Sequence, residues 1–426
     1  MSKKFSKISV IGLGYVGLPL SLQFARSGVL VLGFDLDQRK VDSINAGKTY
    51  LKHFSSESIA EQVDANRLEA TTDPSRLSEV EAILICVPTP LDDHREPDLS
   101  FVLDTAKTIA SHLSKGVLVT LESTTYPGTT EDELRTVLEE CSRLKAGVDF
   151  HLAYSPERED PGRVDVSVKT IPKVVGGYTE KCSELAKALY GQALDKIHEV
   201  SSCRAAEATK LLENIFRSVN IAMVNELKEV YEAMGIDVHE VIDAAATKPF
   251  GFMAFRPGPG LGGHCIPIDP FYLTWKAMEF GKHTRFIELA GEINTAMPDY
   301  VISKVADALN DEGKAIKGSK VLILGLAYKA NVDDCRESPS FLLMEKLEAK
   351  GAVVEYSDPF VPVVPPTREH AHFTDKQSVD IEDAYDLILV STDHDEYKTF
   401  DFSGYSCPLV DSRNCISKKP QKYYQA

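Results

Sequence analysis

The sequence lacks an apolar run of the ~18–20 residues that a membrane-spanning helix requires. It has no CxxC pair, because its eight cysteines are scattered along the chain. A basic excess is absent as well: the formal net charge is −17, which argues against a nucleic-acid partner. The first residues lead into an apolar strand and a glycine turn, unlike a secretory signal. We therefore expect a cytoplasmic protein with reduced thiols, no bound metal and no membrane partner.

Length and apolar pattern predict several domains of the α/β class. With ~100–200 residues per domain, 426 residues indicate two or three domains. The chain begins with strand, glycine turn, helix and strand, and residues 318–340 begin a second unit of this kind. Residues 202–236 have helical periodicity without a proline, which predicts a helix of roughly 50 Å. We expect two Rossmann-like, doubly wound domains joined by this long central helix and a helical middle domain, with bounds at 1–200, 201–310 and 311–426.

Three glycines directly after the first predicted strand form a GxGxxG motif: Gly12, Gly14 and Gly17. In a dinucleotide site they permit a tight turn, the approach of the pyrophosphate and the packing of the helix on the strand. Asp35 ends the second predicted strand, where a carboxylate receives the ribose hydroxyls of NAD. Arg39 and Lys40 follow closely and suit the 2′-phosphate of NADP, which Asp35 would repel. The motif predicts a dinucleotide site that prefers NAD.

The second α/β unit retains Gly325 but lacks the other glycines of this motif. We expect it not to hold a second dinucleotide in the same way. Lys329 and Arg336 lie in the loop after its first strand. Two cations at that place suit a ligand that bears phosphate, and the alternative is a pair of solvated surface charges.

The segment GPGLGGHCIPID, residues 258–269, places one cysteine in a glycine-rich loop. Beside an NAD site, a thiol suggests aldehyde oxidation, in which the thiolate forms a thiohemiacetal and hydride transfer leaves a thioester for water to cleave. This chemistry needs an activated thiol, donors for an oxyanion and a base for water. Cys265 has His264 beside it and Asp269 four residues on. The alternative is a tight turn with a bystander thiol.

Lys210 and Asn214 lie four residues apart on the long predicted helix, so they share one face and can both donate to an oxyanion. A solvated lysine and a surface amide are the alternatives for these two residues. Glu157 lies in an irregular segment that suits a carboxylate acting through water. Thr124 lies just past a strand end, where sites of nucleotide-binding folds are found.

Several motifs stand in one order along nearly the whole chain: GLGYVGLP (12–19), VPTP (87–90), STTYPG (123–128), SPER (155–158), EATKLLEN (207–214), GPGLGGHCIPID (258–269) and GLAYKANVDDCRESP (325–339). In that order they resemble the UDP-glucose/GDP-mannose dehydrogenase family. The resemblance implies a four-electron oxidation of a sugar C6 alcohol to a carboxylate, with two NAD per turnover. It also implies a homodimer built on the long helix and a C-terminal domain that holds the nucleotide of a UDP-sugar.

The resemblance implies a role for each site residue as well. The catalytic set is the nucleophile Cys265, the oxyanion stabilisers Lys210 and Asn214, Asp269 as an assistant to the thiol or the water, the base Glu157, and Thr124, which places water. The implied cofactor contacts are Gly12, Gly14, Tyr15, Val16, Gly17, Asp35, Lys40, Thr89, Thr124 and Arg336. The implied substrate contacts are Glu157, Arg158, Lys210, Asn214, Arg256, Gly262 and Lys329.

The segment SPEREDPG departs from the UDP-glucose branch, which usually reads PEFLREG after its Ser or Asn. The second glutamate of that pattern has no clear counterpart here, so the division of base roles between Glu157 and Asp269 stays open. The forms SPER…PG and GGHCIPIDP resemble the branch that oxidises UDP-N-acetylhexosamines. We therefore expect UDP-N-acetylglucosamine as the substrate, with UDP-N-acetylgalactosamine, UDP-N-acetylmannosamine and UDP-glucose as alternatives.

Two other functions stay open at this stage. One is a two-electron NAD dehydrogenase of the 6-phosphogluconate type, in which the cysteine is a bystander. The other is a non-catalytic nucleotide-sugar binder, against which the joint presence of Cys265, Lys210 and Asn214 argues. The NADH released per substrate separates the four-electron reaction from the two-electron one.

Overall fold

The computed structural model describes residues 3–51, 55–92, 96–158, 169–263, 265–367 and 370–426. The chain forms two compact units, each made of two segments. Unit 1 comprises Met1–Glu213 and Phe271–His283, and unit 2 comprises Asn214–Pro270 and Thr284–Ala426. Each unit has its own sheet flanked by helices, which confirms the predicted α/β class. The division into three domains stays a prediction.

The strands of unit 1 are β1 (Lys7–Ile11), β2 (Leu30–Phe34), β3 (Leu68–Thr71), β4 (Ala82–Ile85), β5 (Leu118–Leu121), β6 (His151–Tyr154), β7 (Lys173–Gly177) and β8 (Ile197–Val200). Among the described residues they form one sheet in the order β3-β2-β1-β4-β5-β6-β7-β8. The strands β6 and β7 pair antiparallel, and the other neighbours pair parallel. The first six strands have the order of a Rossmann dinucleotide-binding domain.

Helices connect these strands and cover both faces of the sheet: α1 (Gly17–Arg26), α2 (Gln38–Asn45), α3 (Ser56–Asp64), α4 (Ser100–Ala110), α5 (Arg135–Ser142) and α6 (Glu180–Tyr190). Every residue of β4 and β5 is buried, because a parallel sheet covered on both faces leaves no strand residue in water. Alternate residues of a strand therefore join different apolar clusters. Leu84 belongs to one cluster, whereas Ile83 and Ile85 belong to the other.

The long central helix is present as α7 (Cys203–Ala233), which has 31 residues and measures roughly 46 Å at 1.5 Å per residue. It begins in unit 1 and ends in unit 2. It stops short of the predicted residue 236 because Gly235 takes a φ of +70°. A left-handed glycine of this kind closes the carboxyl end of a helix.

Unit 2 continues with α8 (Val238–Ala246), α9 (Cys265–Glu279, which ends in unit 1), α10 (Arg285–Asp311), β9 (Lys320–Leu324), α11 (Pro339–Ala349), β10 (Val353–Ser357), β11 (Leu387–Val390), α12 (Asp395–Thr399), β12 (Leu409–Asp411) and β13 (Tyr423–Gln425). Its strands pair parallel in the order β10-β9-β11-β12-β13. Within the described ranges, no helix combines the length and apolar character needed to cross a membrane. The same ranges contain no group of three or more His, Cys, Asp or Glu side chains arranged to hold a metal ion.

Candidate functional site

The glycine turn between β1 and α1 has the geometry of a dinucleotide loop. Gly12 takes a φ of +89°, and a Cβ there would lie 2.6 Å from the carbonyl oxygen of Cys86. A Cβ at Gly17 would overlap the carbonyl oxygen of Gly12. At Gly14 no described atom lies within 4 Å of the place a Cβ would take. The turn and the packing therefore require Gly12 and Gly17, whereas the space at Gly14 suits a pyrophosphate.

Asp35 follows β2 directly and turns its carboxylate toward this loop. Its Oδ2 accepts hydrogen bonds from the backbone N–H of Leu13 at 2.9 Å and from Lys40 Nζ at 3.1 Å. Its Oδ1 accepts one from the backbone N–H of Asp37 at 2.9 Å. These donors occupy three of the about four acceptor positions of a carboxylate, so one position remains for a ribose hydroxyl. With the open space at Gly14, these residues fit NAD.

The two cations that suit NADP are already held by carboxylates. Lys40 pairs with Asp35, and Arg39 donates to Asp37 from Nε at 3.0 Å and from Nη2 at 2.9 Å. The hydrogen bonds from Arg39 lower the pKa of Asp37 to about 2, so this carboxylate is charged at neutral pH. A 2′-phosphate would have to compete with Asp35 for Lys40, or with Asp37 for Arg39.

Replacing Asp35 by serine is expected to relax the preference for NAD. The variant loses a charged hydrogen-bond partner of the ribose, worth ~1.5–3 kcal/mol, and leaves Lys40 free to pair with a 2′-phosphate. The ratio of kcat/KM with NAD to kcat/KM with NADP should fall about 10- to 100-fold in steady-state kinetics. Arg39→Gln is the control, because it leaves the Asp35–Lys40 pair intact and should keep the ratio. A wild-type enzyme that uses NADP as well as NAD would contradict this role of Asp35.

Two threonines meet at the carboxyl edge of the unit 1 sheet. Thr89 follows β4 and Thr124 follows β5, and Thr89 Oγ1 donates to the backbone carbonyl oxygen of Thr124 at 2.8 Å. The Tyr272 hydroxyl donates to the carbonyl oxygen of Thr89 at 2.6 Å. Tyr15 and Val16 are partly exposed in the glycine turn, at the same edge of the sheet. The sequence did not indicate Tyr272, because 183 residues separate it from Thr89.

Glu157 follows β6 and is partly buried, with 17% of its side chain exposed. Its Oε1 accepts from the backbone N–H of Arg158 at 2.7 Å, and its Oε2 accepts from Lys173 Nζ at 3.3 Å. The Arg158 guanidinium pairs with Glu213 of α7 at 2.6 Å and donates to the carbonyl oxygen of Pro172 at 2.6 Å. The sequence predicted Glu157 and Arg158, but it gave no sign of Lys173.

Lys210 lies in α7 with only 7% of its surface exposed. No described residue forms a hydrogen bond or ion pair with its ammonium. Its Nζ is not among the fully buried polar atoms, so the ammonium of this largely covered side chain remains accessible to water or a ligand. Lys210 is thus largely covered by protein, and its catalytic role stays a prediction.

In unit 2 the structure brings together Asn214 and Asp269, which the sequence separates by 55 residues. Asn214 is fully buried, and its Nδ2 donates to Asp269 Oδ2. Arg217 in turn donates to Asn214 Oδ1. Cys265 is the first residue of α9, so Asp269 lies about one turn along the same helix. His264 and the side chain of Cys265 lie outside the part of the chain that the structure describes.

The glycines before Cys265 approach other parts of unit 2. A Cβ at Gly258 would overlap the Arg413 guanidinium, and one at Gly262 would lie 2.7 Å from Tyr328 Cβ. Gly263 takes a φ of +77°, and a Cβ there would lie 2.9 Å from the Tyr328 ring. Close packing within the chain thus accounts for Gly258, Gly262 and Gly263. The substrate contact implied for Gly262 stays a prediction.

The cations predicted for ligand binding in unit 2 differ in their surroundings. Lys329 is half-buried in the loop after β9. Arg336 donates to both carboxylate oxygens of Asp334, from Nε at 2.9 Å and from Nη2 at 2.6 Å. Arg256 pairs with Asp243 of α8, with 48% of its side chain exposed. A phosphate-bearing ligand would share Arg336 with Asp334.

Unit 2 has a counterpart of the Gly12–Asp35 pair in Gly325, with a φ of +90°, and Asp358, which directly follows β10. The Asp358 carboxylate is 2% exposed and accepts from five donors: His394 Nε2 at 3.1 Å and the backbone N–H groups of Leu326, Ala327, Phe360 and Val361 at 2.6–3.0 Å. Burial raises the pKa of Asp358. The hydrogen bonds from His394 and from the backbone outweigh burial and hold this pKa below its ordinary value. A ribose hydroxyl finds no free acceptor there, which is why Asp358 does not repeat the role of Asp35.

Glu207, a buried acid of α7, begins the motif EATKLLEN, but the sequence gave no indication of its role. Its carboxylate accepts from the backbone N–H of Gly128 at 2.6 Å and from the N–H and hydroxyl of Thr130 at 2.9 and 2.7 Å. It therefore anchors the segment that follows Thr124. Burial outweighs these hydrogen bonds and raises the pKa of Glu207 to about 7.

This raised pKa predicts a pH dependence of stability. Between about pH 4.5 and pH 7 the folded enzyme retains a proton on Glu207 that the unfolded chain has released. The contribution of Glu207 is therefore greatest at low pH and is lost as pH rises through that window. Glu207→Gln stays neutral and lacks this change. We expect the wild-type free energy of unfolding, relative to the variant, to fall by up to about 3 kcal/mol between pH 4.5 and pH 8 in urea denaturation; parallel profiles would contradict it.

Comparisons with known proteins agree with this geometry. Three models of the UDP-glucose/GDP-mannose dehydrogenase family match the chain in order: the NAD binding domain over residues 6–194, the central domain over 204–296 and the UDP binding domain over 322–418. A UDP-N-acetyl-D-glucosamine 6-dehydrogenase of Pseudomonas aeruginosa is 37% identical over 393 residues, which cover 92% of this chain and 91% of the relative.

Two further relatives extend this likeness. An NDP-N-acetyl-D-galactosaminuronic acid dehydrogenase of Ralstonia nicotianae is 34% identical over 424 residues, or 97% of each chain. The solved structure of the UDP-D-ManNAc dehydrogenase of Pyrococcus horikoshii superposes with a TM-score of 0.89 at 32% identity and covers 98% of each chain. With the glycine loop, these matches confirm the predicted family, fold and cofactor. The chain belongs to the UDP-glucose/GDP-mannose dehydrogenase family and is an NAD-dependent dehydrogenase.

Proposed function

We propose that this enzyme oxidises the C6 hydroxyl of a UDP-sugar to a carboxylate in two two-electron steps. The sugar alcohol, two NAD⁺ and one water become the carboxylate, two NADH and three protons. NAD⁺, held by the glycine turn of Gly12, Gly14 and Gly17 and by Asp35, would supply the hydride acceptor for both steps. Between the steps the Cys265 thiolate adds to the C6 aldehyde, and after the second hydride transfer water cleaves the resulting thioester.

The Lys210 side chain carries this proposal, because it is 7% exposed and no described residue forms a hydrogen bond or ion pair with its ammonium. Oxidation at C6 develops negative charge on oxygen, and a preorganised donor in a site with little water stabilises that charge strongly. Asn214, four residues along α7, is a second candidate donor, and its amide is oriented by Asp269. Glu157 acts as a base in this proposal, and Thr124 positions water. Lys329 holds the diphosphate of the substrate.

The favoured substrate is UDP-N-acetylglucosamine. The Pseudomonas aeruginosa relative bears the name of an enzyme for this substrate, which supports the choice, as does the segment SPEREDPG. The names of the Ralstonia nicotianae and Pyrococcus horikoshii relatives refer to N-acetylated sugars as well. UDP-N-acetylmannosamine, UDP-N-acetylgalactosamine and UDP-glucose are the competing substrates in the test.

The test measures NADH released per sugar consumed, with each of the four UDP-sugars limiting and NAD in excess. We expect two NADH per sugar and the highest kcat/KM for UDP-N-acetylglucosamine. One NADH per sugar would refute the four-electron reaction and favour the two-electron alternative. Two NADH with another sugar preferred would refute only the choice of substrate.

We also propose that the enzyme is a homodimer through α7. Phe216, Met223 and Val230 are 46%, 44% and 47% exposed, and their spacing of seven residues places them on one face of the helix. An apolar stripe of this kind on a long helix fits the same stripe of a second copy around a two-fold axis. The cytoplasmic location stays a prediction from the sequence.

Introducing charge into this stripe is expected to give monomers. The double variant Met223→Glu, Val230→Glu would place four carboxylates in an apolar interface, where burying them without partners is costly. Light scattering after gel filtration should report a dimer for the wild type and a monomer for the variant. Glu229→Gln, at an exposed position away from the stripe, is the control and should remain dimeric. A wild-type monomer, or a dimeric double variant, would refute this interface.

A further inference from the structure

Unit 1 contains a buried cation between two carboxylates that the proposed reaction does not use. Lys173, the first residue of β7, is 5% exposed. Its Nζ lies 2.6 Å from Glu122 Oε2 and 3.3 Å from Glu157 Oε2. Glu122 follows β5 directly and is 1% exposed, whereas the Glu157 side chain is 17% exposed. The ammonium therefore links a fully buried carboxylate to a more accessible one.

Glu122, the fully buried carboxylate of this cluster, also contacts Tyr190. The Tyr190 hydroxyl donates to Glu122 Oε1 and lies 3.0 Å from Thr120 Oγ1. The Lys173 ammonium lies 5.5 Å from the centre of the Tyr190 ring, within range of a cation–π interaction. Both carboxylate oxygens of Glu122 are thus occupied. Glu122 and Tyr190 leave Lys173 little freedom to move relative to Glu157.

Several charged or titratable groups surround Glu157. Lys173 contacts it from β7, with Glu122 and Tyr190 behind that ammonium. The Arg158 backbone N–H donates to Glu157, while the Arg158 guanidinium pairs with Glu213. Cys86, after β4, is close enough for Glu157 and Glu122 to act on it electrostatically; burial and these carboxylates raise the pKa of its thiol, which keeps the thiol neutral.

The charge balance of the cluster is one cation to two carboxylates. Burial lowers the pKa of Lys173, but Glu122 and Glu157 outweigh it, so the net shift is upward and the ammonium stays charged. A buried ion cluster of this kind adds little stability compared with apolar side chains of similar size. Its geometry instead gives the one accessible carboxylate a fixed cationic neighbour.

We propose that Lys173, braced by Glu122 and Tyr190, is a positioning residue that orients Glu157 and keeps it ionised for base catalysis. This inference rests on the proposed function, in which Glu157 is the base. The ammonium favours the ionised form of Glu157, and Glu122 competes for that ammonium. Removing Lys173 and neutralising Glu122 should therefore change the protonation of Glu157 in opposite directions.

The experiment measures the pH dependence of kcat for Lys173→Met, Lys173→Arg and Glu122→Gln, with both substrates saturating. The acid limb of this profile reports the ionisation of the base in the bound complex. We expect Lys173→Met to lower kcat about 10- to 100-fold, with both KM values within about threefold of wild type, and to move the acid limb to higher pH. Glu122→Gln should move the limb to lower pH. Lys173→Arg keeps the charge and should restore most of kcat.

Lys187→Met is the matched control, because Lys187 pairs with Glu199 on the surface of the same unit and should leave the profile unchanged. If Lys173→Met does not fold, Glu122→Gln decides, since its amide oxygen can still accept a hydrogen bond from Lys173. A folded Glu122→Gln enzyme with a wild-type acid limb overturns the proposal. So does a folded Lys173→Met enzyme with an unmoved limb.

A different set of results would refute the proposed function itself. A wild-type yield of one NADH per sugar would refute the proposed function. A Glu157→Gln enzyme with full activity and an unchanged acid limb would refute the base role of Glu157, and with it the positioning role of Lys173. Two NADH per sugar with an acid limb that disappears in Glu157→Gln would support it. Unmoved limbs in the Lys173 and Glu122 variants would then refute only the positioning role of Lys173.

Discussion

Replacing Cys265 by serine is expected to lower kcat by at least about 100-fold, within the ~10²–10⁴ range typical of a catalytic group. A serine hydroxyl is a far weaker nucleophile than a thiolate near neutral pH, so the covalent intermediate should not form. Substrate binding should be largely retained, because the change removes one sulfur. A single turnover with enzyme in excess should release about one NADH per sugar instead of two.

The control for this variant is Cys141→Ser, because Cys141 is an exposed free cysteine of α5. Its kcat should match that of the wild type. Calorimetry or fluorescence titration with UDP-sugar checks that Cys265→Ser still binds. A Cys265→Ser enzyme that keeps more than about a tenth of wild-type kcat would rule out the proposed mechanism.

Lys210→Met is expected to lower kcat about 10²–10³-fold, the effect of removing one donor from an oxyanion site. Methionine has a similar length and no charge. Because no described residue pairs with the Lys210 ammonium, its removal should leave the melting temperature unchanged or raise it. Loss of activity without loss of stability would separate a catalytic lysine from a structural one.

Lys181→Met, at an exposed position of α6, is the control for Lys210→Met and should keep wild-type kcat. Scanning calorimetry on both variants gives the stability comparison. A kcat within tenfold of the wild type would contradict an oxyanion role for Lys210. A large fall in melting temperature would indicate that Lys210 has a structural partner instead.

Local patterns predicted the first α/β segment well. The motif of Gly12, Gly14 and Gly17 lies between β1 and α1 as expected, because a tight turn and a close helix approach are properties of neighbouring residues. The sequence around β6 and β7, by contrast, predicted an irregular segment. A Cβ at Gly176 would overlap the carbonyl oxygen of Ser202, so the glycines of β7 reflect close tertiary approach rather than a turn.

Sequence patterns could not predict contacts between residues that lie far apart in the chain. Lys173 lies 51 residues from Glu122, and Tyr190 lies 68 residues from it. A single lysine at the start of an apolar strand carries no periodic signal. The sequence shows residues 258–263 only as a glycine-rich loop, and the structure is needed to show that Tyr328 and Arg413 of the same chain pack against its glycines.

The contrast between Asp35 and Asp358 has a consequence for how the apoenzyme responds to its cofactor. Backbone N–H groups of neighbouring residues and His394 fill the acceptor positions of the Asp358 carboxylate. The Asp35 carboxylate keeps one acceptor position for a ribose hydroxyl. A ligand that binds only the folded form shifts the unfolding equilibrium of the part it contacts. NAD should therefore protect the loop and strand ends around Asp35 from proteolysis and amide exchange. The corresponding region around Asp358 should resist both equally well with and without the dinucleotide.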